Sequence, residues 1–321
     1  MSFESLKRDS DKRWLDLTTG AKPWIRISSA MCCGTSLESE EIVLEITNYI
    51  EKNKIPINID TVGCHGICYA GPIIDILYKG QPRIFWGNVT KDNVVKILDS
   101  YIKKGEVLTD NLLGSLGERS IDGIKKIDDL PGINLQNRIA LRNSGNIAFN
   151  DIFQYIANGG FEGLYKAVTK MSSDEVISEV KNSGLRGRGG AAFPTGLKWS
   201  FMSNSKGVKY ILCNCEEGDP GAYNDKGILE SDPYTLLEGM AIAGYATKST
   251  NGYVFIRHGH DGPIDRTKEA INQAYDNGLL GKNIFGSDFS FAIEVSLTGD
   301  SYVAGEETAL IASIEGRRAE V

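Results

Sequence analysis

From Tyr210 onward the sequence alternates short apolar runs with amphipathic stretches, and this alternation restricts the fold more than any other feature. YILCN at 210–214, GYVFIRH at 252–258 and FSFAIEVSL at 289–297 read as buried strands. Between them, Pro233 opens a helix to Thr247 with Leu236, Leu237, Met240 and Ala243 on one face, and Pro263 opens another to Asp276. A further helix is expected from Gly305 to Ile314. Strands that alternate with helices build a mostly parallel sheet covered on both faces. Ligands of such sheets sit beyond the carboxyl ends of the strands. Here those ends are Asn214 to Tyr223, His258 to Asp261 and Thr298 to Glu307.

A glycine-rich stretch precedes the first of these strands. GLRGRGGAAFPTGLKW, Gly184 to Trp199, holds five glycines, and Arg186, Arg188 and Lys198 lie among or just beyond them. Glycine lets backbone N–H groups approach a ligand with no Cβ in the way. Successive N–H groups form an anion-binding nest, and nearby cations complete a phosphate site. Phe193 and Pro194 add a rigid apolar edge suited to a flat ring. A flexible connector is the plain alternative, but linkers seldom carry Arg, Phe, Pro, Lys and Trp so densely. The spacing matches neither the P-loop nor the dinucleotide GxGxxG fingerprint. Two acidic loops meet it: CNCEEGDPGAYND, with Asn214, Glu216, Glu217 and Asp219, and TGDSYVAGEETAL, with Tyr302, Gly305, Glu306, Glu307 and Thr308. Carboxylates beside a phosphate site make sense as acceptors for ribose or ribityl hydroxyls and base amides. As plain structure, Glu306 and Glu307 would instead cap a helix N-terminus.

Length and charge set the wider frame. The 321 residues fit two domains, and a net charge of −7 from 35 basic and 42 acidic residues argues against nucleic acid as the main partner. Apolar runs are far shorter than a bilayer span, and MSFESLKRDSDKRW lacks the apolar core of a signal peptide, so direct membrane insertion is not expected and a cytoplasmic location is. Six cysteines fall in three pairs. In a cytoplasmic chain Cys32, Cys33, Cys64 and Cys68 point to metal or redox chemistry, whereas Cys213 and Cys215 read as small apolar filler at a strand end. His258 and His260 flank a glycine without further metal ligands and are expected at a rim.

The first hundred residues read differently. Residues 1–24 are a polar arm or short helix. Trp24 to Met31 is a strand, Glu40 to Lys52 a helix, and Ile55 to Val62 a strand running into GCHGICYAGP. Ile73 to Tyr78 and Pro82 to Trp86 form a hairpin, and Asn88 to Lys103 a closing helix. That order is thioredoxin-like. Glu106 to Asn137 shows no strong period and reads as a linker wrapping over the second domain. Three helices follow, at 149–158, 160–170 and 173–183, the last capped by Ser172 or Ser173.

GLRGRGGAAFPTGLKW, CNCEEGDPGAYNDKGILESDPYTLLEGM and GEETALIASIEG together resemble the flavin-binding, NADH-oxidising subunit of respiratory complex I. They equally resemble its relatives in NAD-linked and electron-bifurcating hydrogenases and formate dehydrogenases, the 51 kDa-type subunit. The resemblance runs from about Gln136 to the end, and the N-terminal part resembles the thioredoxin-like ferredoxin domain of the hydrogenase-type members. It implies an α/β chain: a thioredoxin-like domain over 25–104, a linker over 105–137, and a Rossmann-like FMN- and NADH-binding domain over 138–321. It implies FMN held by Gly187, Arg188, Gly189, Lys198, Asn214, Glu216, Glu217, Gly305, Glu306, Glu307 and Thr308. NADH would lie against Phe193, Phe201, Asp219 and Tyr302, and Cys33, Cys64 and Cys68 would ligate a [2Fe–2S] cluster if the domain holds one. Hydride would pass between NAD(H) and FMN with no catalytic side chain. The implied partners are a [2Fe–2S] ferredoxin-like small subunit and other redox subunits of a cytoplasmic complex.

Three residues depart from the family pattern: Ala192 stands for a glycine, Glu216 for an aspartate and Cys215 for a smaller residue. The sequence ends at EGRRAEV, so the family's ubiquitin-like domain and [4Fe–4S] domain are not expected within it. That ending also leaves a rival expectation, a non-catalytic docking or assembly protein that keeps the fold without flavin.

Overall fold

The computed structural model describes residues 2–29, 36–118, 121–219, 221–299 and 301–320. Two compact units are distinguished. The N-terminal unit is Asp9–Gln154 with Glu230–Asp232; the C-terminal unit is Tyr155–Leu229 and Pro233–Val321 with Met1–Arg8.

Five strands form the sheet of the N-terminal unit: β1 (Trp24–Ser28), β2 (Asn58–Val62), β3 (Ile74–Leu77), β4 (Arg83–Trp86) and β5 (Leu112–Leu116), in the order β2-β1-β3-β4-β5. β1 and β2 run parallel, Trp24 opposite Asn58, and the remaining pairs are antiparallel. The expected hairpin turns through Lys79 and Gly80, both at positive φ. Helices α2 (Ser36–Asn53) and α3 (Lys91–Leu98) pack Ile42, Ile46, Val94 and Leu98 onto Ile25, Ile27, Ile76 and Ile84. Thr90 and Asn93 form a capping box at the start of α3, and a π-helical turn, Asp99–Lys104, continues it.

Two expectations for this unit change. The N-terminal arm, expected as a polar arm or short helix, is a 17-residue helix, α1 (Phe3–Thr19), with Phe3 and Leu6 buried and Leu15 exposed. Phe3 stacks on Tyr165 within the C-terminal unit, and Trp14 meets Trp24 edge-on within the N-terminal unit. The 105–137 segment is not only a connector, since β5 lies inside it and pairs with β4. Gly114, at φ 151, lets the Lys125 segment close on the other edge of β5: a Cβ there would lie 2.6 Å from the Lys125 carbonyl oxygen, which accepts from Ser115 N at 2.8 Å.

The C-terminal unit holds a three-stranded parallel sheet of β6 (Tyr210–Cys215), β7 (Asn251–Arg257) and β8 (Ala292–Thr298), in that order. Tyr210 pairs with Asn251 and Asn251 with Ala292, so the carboxyl ends come level at Cys215, Ile256 and Leu297. The helices are α4 (Ile152–Ala157), α5 (Glu162–Lys170), α6 (Ser173–Asn182), α7 (Thr195–Asn204), α8 (Asp225–Ser231), α9 (Pro233–Thr247), α10 (Asp261–Asp276) and α11 (Glu307–Ile314). Ser172 and Glu175 cap α6 reciprocally. α9 lies close on the sheet because Gly244 leaves room for Phe291; a Cβ there would sit 2.6 Å from the ring. The buried Glu238 carboxylate of α9 accepts hydrogen bonds from Tyr155 Oη at 2.5 Å, Phe161 N at 2.8 Å and Leu164 N at 3.1 Å, tying the start of α5 to α9. No helix among the described residues is long and apolar enough to cross a membrane.

Candidate functional site

A cleft of about 1080 Å³ opens at the carboxyl edge of the β6-β7-β8 sheet. Arg188 and Gly189 line it from the glycine loop, Asn214 to Asp219 from the loop after β6, and Tyr302 to Glu306 from the loop before α11. Parts of the three loops therefore meet at the cleft, whereas Lys198 and Glu307 line a separate hollow with Trp199 and Leu310, and Phe193 and Phe201 line neither.

The glycine loop is pinned at its base. Gly187 N donates to Phe193 O at 2.9 Å, Thr195 N to Leu185 O at 2.9 Å, and Arg186 Nη1 to Ala192 O at 3.0 Å. Its tip is open: a Cβ at Gly189 or Gly190 would meet nothing within 4 Å. The chain's own packing thus does not demand glycine at 189, which leaves close approach of a ligand as its use. Ala192, in place of the family's glycine, sits at φ 51, where an alanine is strained.

The acids divide into distinct roles. Glu216 accepts from Arg257 Nη1 at 2.8 Å and from Gly218 N at 3.2 Å, and Asn214 bridges to Gly305 O at 2.8 Å. Glu217 caps α8: its buried carboxylate accepts from the backbone N–H groups of Asn224, Asp225 and Lys226. Glu306 caps α11 through Thr308 N and Ala309 N. Glu307 reaches Lys198 Nζ at 2.6 Å, and that cation holds its carboxyl below the usual range. Tyr302 Oη donates to Asp219 Oδ1 at 2.7 Å, closing one side of the cleft. Phe193, Phe201 and Tyr302 are 46%, 61% and 70% exposed, so their ring faces are available to a flat ligand. Leu310 and Ala309 of α11 are buried and pack inward, with Ile314 partly buried beside them.

Two residues of the site were not anticipated. Arg257 ends β7 and partners Glu216, a role invisible in GYVFIRH until the strand is set beside β6. Asp225 lines the cleft, and burial, reinforced by Glu217, pushes its carboxyl up to about 6. Cys213 and Cys215 lie with sulfurs 3.7 Å apart; their mutual hydrogen bond and burial push the Cys215 thiol well up, which keeps it inert. His258 is exposed and His260 half-buried beside the cleft loops.

In the N-terminal unit, Cys64 is half-buried with its sulfur accepting from Gly66 N at 3.1 Å, and Cys68 is exposed at the start of a short 3₁₀ turn, Cys68–Ala70. Cys33 lies outside the described residues, as does Cys32. Among the described residues no three His, Cys, Asp or Glu side chains are grouped to hold a metal ion.

Fold and site together define an α/β unit with a glycine-rich loop and acidic loops at the carboxyl edge of a parallel sheet. Residues 180–321 match the family model described as the Nuo51 FMN-binding domain. The chain is 52% identical over 186 residues to the NADP-reducing hydrogenase subunit HndC of Solidesulfovibrio fructosivorans, covering 58% of this chain and 38% of that protein. It is 46% identical over 168 residues to an NADH-quinone oxidoreductase subunit of Escherichia coli, covering 52% and 38%. The match thus spans under two fifths of either relative. A solved NAD+-reducing [NiFe]-hydrogenase chain aligns over 98% of this chain and 50% of its own, at 18% identity and a TM-score of 0.45.

Proposed function

We propose that the chain is the diaphorase part of a cytoplasmic multi-subunit redox complex, binding FMN and NADH at the strand-end cleft. The observation that carries this reading is the open glycine tip facing Asn214 and Glu216 across a cleft of about 1080 Å³, large enough for a flavin nucleotide. Gly187, Arg188, Gly189 and Lys198 would hold the phosphate. Asn214, Glu216, Glu217 and Gly305 to Thr308 would contact the flavin, and Phe193, Phe201, Asp219 and Tyr302 the nicotinamide nucleotide. When bound, the two cofactors supply the hydride chemistry between them. The chain's residues bind, orient and stack these groups, and shield them from water.

The internal use of several acids refines the roles. Glu217 and Glu306 already satisfy helix N-termini, so their part is to shape the cleft walls and fix the loops. Glu216 is likewise held, by Arg257 and Gly218 N, while Asn214 is exposed where it lines the cleft. Lys198 must exchange Glu307 for a phosphate, or bind both; its pairing with an exposed carboxylate costs little to break. That pairing and the capping acids also favour, in part, the reading of a flavin-free docking protein.

Cys64 and Cys68 would provide two of the four thiolates of a [2Fe–2S] cluster, with Cys33 a third. A [2Fe–2S] ferredoxin-like small subunit and further redox subunits would then exchange electrons with this chain.

Stopped-flow mixing of NADH with the FMN-loaded protein tests the proposal. Bleaching of the visible flavin absorbance supports it. FMN that binds but does not bleach, or no FMN bound at all, leaves the docking-protein reading.

A further inference from the structure

The N-terminal unit contains a second cavity, of about 240 Å³, that none of the roles above uses. At about 30 Å³ per water in the liquid, it has space for roughly eight waters, more than one structural water needs. Ile67, Phe85, Leu116, Ile127 and Ile133 give it an apolar wall, and His65, Arg138, Ser144 and Asn146 supply polar groups.

His65 is the unusual member. It is 8% exposed, and its Nε2 is buried with no hydrogen-bond partner among the described residues. Its opposite nitrogen, Nδ1, faces the backbone of Gly145, where a Cβ would come within 2.2 Å, and the ring meets Phe85 edge-on at 5.5 Å. A buried polar nitrogen without a partner costs about 1–3 kcal/mol, so a polar group supplied from the cavity is favoured there. Arg138 stands beside it, Nη2 donating to His65 O at 2.6 Å and Nε to Gln136 Oε1 at 2.9 Å, while its Nη1 has no partner among the described residues.

The surrounding charge selects the ligand. Arg26 and Arg83 both pair with the buried Asp75, at 2.6 and 2.9 Å; both guanidiniums and that carboxylate act on the His65 ring, while Asp60 acts on Arg26. Arg138 adds another cation, and Asp128 at the rim opposes it. An anion is favoured, held by a guanidinium and an imidazole N–H, with an apolar body against Phe85 and Ile127.

We propose that this cavity is a binding site for a small apolar carboxylate, its carboxylate on Arg138 Nη1 and His65 Nε2–H. The cavity volume limits the ligand to the size of a benzoate or a short branched-chain acid.

The test uses the whole chain labelled with ¹⁵N-histidine, in which only three histidines give imidazole signals. Benzoate is titrated, with benzamide as the neutral isostere and inorganic phosphate as the purely ionic probe; His65→Gln assigns the His65 signals. The expected result is a saturable shift of the His65 signals with benzoate, at least tenfold weaker with benzamide and with phosphate. Arg138→Gln should weaken benzoate at least tenfold, and Leu116→Trp, which fills the cavity without touching the polar groups, should abolish the shift. Unmoved His65 signals, equal binding of benzamide, phosphate binding as tightly as benzoate, or undiminished binding in both variants would overturn the proposal.

Discussion

Glu216 and Glu217 are adjacent in sequence, yet one pairs with Arg257 and the other caps a helix. The Glu216 side chain is 3% exposed, so removing its partner strands a buried carboxylate. Arg257→Gln is expected to cost about 2–4 kcal/mol in urea unfolding; a loss below about 0.5 kcal/mol would mean that water already solvates Glu216. Asp225 has the opposite signature. Its folded pKa is raised, to about 6 from an ordinary 3.8, so the folded state binds the proton more tightly than the unfolded state does. Stability therefore falls as pH rises between about 4 and 6 and stays lowered above. Asp225→Asn should match the parent at pH 4 and exceed it by about 1–2 kcal/mol at pH 7, once solvent screening of a part-exposed group is allowed for. An equal difference at both pH values would contradict the assignment. The acids and glycines of this cleft were legible because their residue types state their chemistry. Arg257 and Asp225 were not, since an arginine ending a strand and an aspartate opening a helix read as ordinary surface residues until the fold brings Glu216 and Glu217 against them.

At the scale of elements, strands β6 to β8 were legible because short apolar runs between turn residues leave few alternatives. β5 was missed: LLGSL carries a glycine, and only pairing with β4 makes it a strand. α7 and α8 were missed for another reason. α7 has no side-chain N-cap, and Leu197 and Phe201 on it are exposed, so no one-sided apolar stripe marks it. α8 is capped by Glu217, eight residues before Asp225, a distance at which no local capping signal survives. The tie between α5 and α9 makes a prediction at this scale. Glu238→Ala removes the acceptor of two backbone N–H groups and a tyrosine hydroxyl, all buried. A loss of about 2–4 kcal/mol is expected by chemical denaturation, with the far-ultraviolet spectrum of the folded state retained. A neutral result would show that water replaces the carboxylate and that α5 needs no such anchor.

For the whole molecule, the two units carry separate predictions. Iron and sulfide analysis of anaerobically purified protein, with electron paramagnetic resonance after reduction, addresses the N-terminal unit. A [2Fe–2S] signal lost in Cys64→Ser and Cys68→Ser is expected; iron-free, well-folded protein would leave this unit as a docking domain. The order of strand, helix, strand and hairpin was legible here, while the cavity beside His65 was not, because Phe85, Arg138 and Gly145 are far apart in sequence. The central claim concerns the C-terminal unit: that FMN binds where the glycine loop faces Asn214 and Glu216. Quenching of FMN fluorescence on titration with the protein, repeated with Gly189→Glu, measures it directly. The account predicts saturable binding near one FMN per chain, weakened at least a hundredfold by the glutamate, which brings a carboxylate to the phosphate position from a residue whose Cβ meets no atom of the protein within 4 Å. FMN binding of equal strength in both proteins, or none in the parent, would contradict it.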